Sequence, residues 1–148
     1  MDITVYSSVP ERREFINSCA SFFIERLNLQ KSKYSLLIMC KQGLRTKSGP
    51  IGLAAKLSKN EIVVIIDNKL SIEKFLLTLA HEMVHVKQIA KGQYTSDYTR
   101  YGNIRQYWCG KKTKAKYLDR PWEIEAYRRE SILVNELLDR MSKNKKRC

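Results

Sequence analysis

The segment LAHEMVHVKQ, running from Leu79 to Gln88, holds both histidines of the chain, His81 and His85, with Glu82 beside the first in the spacing H-E-x-x-H. Residues four apart on an α-helix project from one face, one turn above the other, so the two imidazoles can meet on a single ion. Glu82 is turned about 100° from His81, too far round to be a comfortable ligand but able to reach a water on that ion. The chemistry this predicts is hydrolysis. A zinc ion (Zn2+) presents the water to a carbonyl, and Glu82 acts as general base, taking the proton and passing it to the leaving amine.

A catalytic zinc takes three protein ligands and keeps one position open, so one ligand is missing from this segment. It is not a histidine, because the longer zincin patterns would require Gly at Gln88 with His at Lys91, or His at Ile89. That leaves a carboxylate or Cys109. The best-placed carboxylates are Glu123 and Glu125 in PWEIEAY, with Asp97 and Asp119 as further candidates.

HEMVH followed downstream by E-x-x-A, Glu123 to Ala126, resembles the gluzincin class of zinc metallopeptidases in its smallest form. The resemblance covers roughly residues 61 to 130. It implies that Glu123 is the third ligand and that Ala126 lets its helix lie close to the H-E-x-x-H helix. It also implies an edge strand just before the active helix, and EIVVIID, residues 61–67, stands at that place, so an extended peptide is expected to add to its free edge. Members of the class often carry Asp after the Ala, hydrogen-bonded to a ligand histidine. This chain has Tyr127 there, which leaves Glu125 as the candidate for that contact. With no third histidine, the developing oxyanion would fall to Tyr117, Tyr127 or a basic residue such as Arg128.

The scaffold for such a site is a single domain of 148 residues, 43% hydrophobic and 29% charged, which is enough to bury one core. The expected fold class is α+β: a small zincin-like domain with an N-terminal helix, a small β-sheet, the H-E-x-x-H helix and a C-terminal helix carrying the third ligand. Ser8, Pro10 and Glu11 read as a capping box opening the first helix, with Phe15, Cys19, Phe22, Phe23 and Leu27 on its inner face. YSLLIMCKQ from Tyr34 reads as a buried strand, GLRTKSGP as a loop, and IGLAAKLS with EIVVIID as a hairpin. Ser71 caps a helix running to about Lys91 and closed by Gly92. The following stretch has no helical period and reads as loop with a short hairpin around Trp108 to Gly110. From Asp119 and Pro121 a last helix packs Ile124, Tyr127, Leu133, Leu137 and Leu138 inward, before a basic tail frays over about 142–148.

No apolar run approaches the roughly 18 residues of a membrane span, and the first residues carry Asp2 and no long apolar stretch. A cytoplasmic protein with no membrane partner is expected. Cys19, Cys40, Cys109 and Cys148 form no C-x-x-C pair and read as free thiols of a reducing compartment, the first two as small core residues.

The net charge of +13 is concentrated in RYGNIRQYWCGKKTKAKYLDR and in KNKKRC. Basic and aromatic residues interleaved in this way suggest DNA or RNA as a partner, with Lys111, Lys112, Lys114 and Lys116 as phosphate contacts. The alternative function is therefore a basic nucleic-acid-binding protein whose metal site is structural or inactive. The two combine in a protease brought by its charge to proteins on nucleic acid, as in SprT-like enzymes. That likeness is one of function only, since the histidine of their pattern is missing at Ile89.

Overall fold

The computed structural model describes residues 1–41 and 51–147. The loop expected over GLRTKSGP lies wholly outside the described residues, as does Cys148. The described chain is α+β. β1 (Ile3–Tyr6) leads through helix α1 (Pro10–Arg26) to β2 (Ser35–Lys41), and the hairpin β3 (Gly52–Ser58) and β4 (Glu61–Asp67) follows. These four strands form one sheet in the order β1-β2-β4-β3, with β1, β2 and β4 parallel and β3 antiparallel to β4.

One face of this sheet makes the core. Leu36, Ile38, Ile62, Val64 and Ile66 are almost wholly buried and cluster with Ile16, Ala20 and Phe23 of α1. Leu76, Leu79 and Met83 of the next helix join the same cluster, and full burial of each such side chain contributes roughly 1.5–3 kcal/mol.

β4 is an internal strand, paired with β2 on one side and β3 on the other, so it has no free edge for a peptide. The expectation of augmentation at residues 61–67 is corrected. IVVII is an unbroken apolar run because four of its five residues are buried, which is what a central strand requires. Among the described residues β3 pairs with β4 alone, and its pattern is correspondingly weaker and more exposed.

The helix carrying the histidines, α2 (Ile72–Ala90), begins four residues after β4. Ser71 Oγ accepts the Lys74 amide at 3.3 Å. The helix ends at Lys91, and Gly92 follows with φ of +69°, a conformation that favours glycine. Both boundaries are those expected. The start of α1 is not: Val9 occupies the N-cap and no side chain caps it, so Ser8 and Glu11 form no capping box.

Beyond Gly92 the chain forms a second sheet in place of the expected loop. β5 (Tyr94–Tyr98), β6 (Ile104–Trp108) and β7 (Lys111–Thr113) make an antiparallel meander. The hairpin expected around Trp108 to Gly110 is its second turn, with Cys109 and Gly110 at φ of +49° and +83°. The polar residues along these strands hide their alternation, and the sheet is fastened from elsewhere in the chain. Trp122 packs on Tyr94 with ring centroids 4.9 Å apart and on Trp108 at 6.3 Å.

After a 3-10 turn (Tyr117–Asp119), α3 (Pro121–Arg147) crosses α2. Its buried stripe is Trp122, Glu123, Ala126, Leu133, Val134 and Leu137, while Ile124, Tyr127 and Leu138 are about half exposed. Leu133 and Leu137 thus lie inward as expected, whereas Ile124, Tyr127 and Leu138 do not, because the first turns of α3 face α2 with Glu123 and Ala126. The helix also continues through Arg147 instead of fraying at about 142. The tail lysines thus begin some 22 residues, or roughly 33 Å, along the axis from Pro121. Cys19 is buried, Cys40 half-buried and Cys109 exposed, all as free thiols. Among the described residues, no helix is long and apolar enough to cross a membrane.

Candidate metal centre

His81 and His85 lie on the side of α2 that faces α3, and Glu123 is buried in the first turn of α3 directly opposite. Ala126, with no exposed surface, lets the helices approach. Nε2 of His81 is 3.2 Å from Nε2 of His85. Oε1 of Glu123 lies 3.3 Å from the first nitrogen and 2.5 Å from the second. Tetrahedral ligands at the usual zinc distances are about 3.3 Å apart, so two of the three separations match such a polyhedron and the third is tighter.

The hydrogen bonds behind the rings define what these three atoms are. His81 Nδ1 lies 2.7 Å from Oε2 of Glu130, a carboxylate that only accepts, so this nitrogen carries the proton. His85 Nδ1 lies 2.8 Å from Oε1 of Gln88. The Gln88 amide is oriented independently, because its nitrogen donates to the Trp122 carbonyl at 2.9 Å and to Glu125 Oε1 at 2.8 Å. Its oxygen must therefore accept from His85, and His85 also has its proton on Nδ1. Both Nε2 atoms then present lone pairs to a carboxylate oxygen. Three acceptors converge with no donor among them, an arrangement that a cation or a proton at their centre relieves.

The titration behaviour reflects the same field. Burial works against charging His81, but the hydrogen bond to Glu123, the charge of Glu82 and the hydrogen bond to Glu130 outweigh it and raise its pKa. His85 is raised in the same way, through Glu123, Glu82 and Gln88. Burial pushes the Glu123 carboxyl up, yet its hydrogen bonds to both histidines hold it well below the usual carboxylate range.

Glu82 is buried and not part of the triad. Its carboxyl lies against the first residue of β3: a Cβ on Gly52 would stand 3.2 Å from Glu82 Oε1 and 2.7 Å from the Thr78 methyl. Burial, only partly offset by the two histidines, raises its pKa. Glu82, His81 and His85 open into a cleft of about 230 Å3 with Gly52, Tyr94 and Trp122 among its walls. A second hollow, sharing Gly52, His81, Glu82 and Tyr117, continues past Thr78 and Tyr127.

Of the other expected residues, Tyr117 lines both hollows. Burial first, then hydrogen bonds to Tyr127 and Glu123, push its phenol far up, so it stays protonated. Tyr127 packs edge-on against His81 at 4.6 Å. Arg128 is exposed and not among the lining residues. Glu125 is not brought into the cluster and does not touch a histidine. It binds Lys87 Nζ at 2.6 and 2.7 Å and acts on His85 only through Gln88.

Cys109, Asp97 and Asp119 do not join the cluster either, and Asp97 is paired with Arg105 at 2.7 Å. Lys111, Lys112, Lys114 and Lys116 are exposed, with no ion pair among the described residues. Two functional contacts were missed in the sequence. Gln88 follows His85 by three residues and Glu130 follows Glu123 by seven, and each spacing keeps the pair on one helix face.

Compared with protein-family models, curated proteins and solved structures, the chain matches none.

Proposed function

We propose that this chain is a zinc-dependent metallopeptidase of gluzincin type, with a zincin-like arrangement of helices α2 and α3 under the edge strand β3. The observation that carries the proposal is the convergence of two imidazole lone pairs and one carboxylate oxygen, with the rings' protons committed elsewhere. Two nitrogens and one oxygen are a donor set that suits zinc. His81, His85 and Glu123 would hold the ion. When bound, it would supply Lewis acidity toward a carbonyl and lower the pKa of water.

The remaining work falls to the chain's own groups. The free edge of β3 at Leu53 and Ala54 borders the cleft and offers backbone donors and acceptors to an extended substrate. Glu82, set against Gly52, takes a proton from the attacking water onto its carboxylate and delivers it to the departing amine; its raised pKa suits it to hold that proton between the two steps. Tyr117 keeps its phenolic proton at the cleft wall, and on turning from Glu123 it would donate that proton in a hydrogen bond to the developing oxyanion.

The test is metal content measured beside peptide cleavage. A preparation kept free of chelators should hold about one zinc per chain. Glu82→Gln should retain it and lose activity by about 10²–10⁴-fold, whereas His85→Ala should lose both. Absence of stoichiometric zinc together with no effect of added zinc on the melting temperature sinks the proposal. So does a Glu82→Gln protein that cleaves normally.

A further inference from the structure

Directly opposed residues of an antiparallel pair share a face, so Tyr94 with Trp108, Ser96 with Gln106, and Tyr98 with Ile104 lie on one side of the second sheet. Lys111, opposite Trp108, is on that side too. At one end Tyr94 and Trp108 are anchored on Trp122, and Tyr94 is part of the cleft wall. At the other end the same face is bare, with Tyr98 70% and Ile104 53% exposed. The strip therefore starts inside the cleft and runs out beyond the core. From Tyr94 to Tyr98 is four residues, about 13 Å of strand, so an extended polypeptide leaving the cleft would pass Tyr98 some four residues later.

The charge along this strip is one-sided. Residues 91–120 carry eight Lys and Arg side chains against Asp97 and Asp119. Asp97 is taken up by Arg105 at 2.7 Å, and both belong to the opposite face of the sheet. Lys114 and Lys116 are exposed on the segment that returns from the sheet to Tyr117, whereas Lys112, opposite Tyr107, belongs to the other face. The Arg120 guanidinium lies 5.6 Å from the Tyr117 ring centre. The acids nearest the cleft do not offset this field outward, because Glu123 and Glu130 face histidines and Glu125 faces Lys87 and Gln88.

Building on the peptidase reading of the cleft, we propose that the Tyr94–Tyr98–Ile104 strip, with Lys111 on its face and Lys114 and Lys116 on the segment that follows, is an extended substrate site that selects acidic polypeptide segments with apolar side chains. A polypeptide is favoured over nucleic acid because the strip is continuous with a cleft whose groups suit an amide. A segment laid along the strip covers Tyr98 and Ile104 with its apolar side chains, and its acidic residues lie in the field of Lys111, Lys114 and Lys116.

The experiment uses the full chain as its zinc-loaded Glu82→Gln variant, which binds without turnover. Fluorescence anisotropy is measured with labelled peptides of about 12 residues, alternating Leu with Glu or Leu with Lys, and with a thymidine oligonucleotide of the same length. The Glu peptide should bind about tenfold or more tighter than the Lys peptide, and its affinity should fall with added salt. Tyr98→Ser with Ile104→Ser, both exposed positions, should weaken it about tenfold, and Lys111→Glu with Lys114→Glu should abolish the preference. In the active protein the same pairs should raise KM and leave kcat unchanged.

Equal binding of the two peptides, or no effect of either pair of substitutions, overturns the inference. So does an oligonucleotide that binds more tightly and displaces the Glu peptide, which would assign the strip to nucleic acid. Normal cleavage by the active protein without charge preference defeats this inference alone. Selective binding by a protein that never cleaves defeats the peptidase reading and leaves the acidic-peptide surface standing.

Discussion

The side chain of Gln88 accepts the Nδ1 proton of His85 at 2.8 Å while its amide nitrogen is held by the Trp122 carbonyl and by Glu125. His85 is thereby fixed in one tautomer by a neutral group. His81, by contrast, is fixed by the carboxylate of Glu130 at 2.7 Å. A carboxylate increases the basicity of the ring it holds more than an amide does, so the two imidazoles are supported unequally.

Removing the amide should therefore weaken metal binding without touching a ligand. Gln88→Leu is expected to lower zinc affinity about 10- to 100-fold, while Gln88→Glu, which keeps an acceptor for His85, loses less. Gln88→Leu also strands the buried end of the Glu125–Lys87 pair and should cost about 1–3 kcal/mol of stability. Competition titration with a zinc chelator and thermal melting check the two effects separately. Equal affinity for wild type and Gln88→Leu would contradict the positioning role.

Metal-free and zinc-loaded protein should respond to pH in opposite directions. In the metal-free protein the raised pKa values of His81 and His85 add stability that is present below their ordinary value of 6.5 and is lost as pH rises through the folded values. The lowered pKa of Glu123 adds stability present above its ordinary 4.5 and lost as pH falls. Metal-free stability should thus peak between those limits. Zinc competes with protons for the same nitrogens, so the rise in melting temperature that it causes should grow from about pH 6 to pH 8. Melting curves with and without chelator across this range measure both; a zinc increment that shrinks with pH would contradict the ligand set.

Gly52→Ala tests the contact of β3 with helix α2. The new methyl would stand 2.7 Å from the Thr78 methyl and 3.2 Å from Glu82 Oε1, so something must shift. A loss of about 1–3 kcal/mol is expected, together with reduced activity at unchanged zinc content. Thr78→Ser removes the nearer contact while keeping a hydroxyl for the Lys74 carbonyl, and the double variant should recover much of the stability. If Gly52→Ala melts like wild type, β3 does not press on α2 as described.

The cysteines should differ sharply in reactivity. Burial pushes the Cys19 thiol up to about 11, whereas Cys109 is exposed in a turn. Under native conditions a thiol reagent should modify Cys109 rapidly and Cys19 only on unfolding, as peptide mass mapping would show. Because unfolded Cys19 ionises near 9.0, it also removes stability as pH rises from there to about 11. Comparing alkaline melts of wild type and Cys19→Ala isolates this contribution. Rapid native labelling of Cys19 would contradict its burial.

What the sequence determined by itself is local. The i, i+4 geometry of a helix aligns His81 with His85 whatever surrounds them, Ser71 and Gly92 bound that helix through contacts within four residues, and the β3–β4 hairpin forms between neighbours in the chain. Glu123 could be named over Glu125 only through the resemblance of HEMVH with E-x-x-A to the gluzincins, a pattern that itself lies within one helical turn. The tertiary structure decided the rest. Glu130 meets His81 across 49 residues of chain; its spacing of seven from Glu123 puts both on one face of α3 but does not say what that face meets. The central place of β4 depends on which strands flank it, the phase of α3 on how closely Ala126 lets it approach α2, and the second sheet on Trp122 arriving under Tyr94. Such choices are made by packing between distant segments, whose free energy is shared among many side chains and leaves no short signature in any one of them.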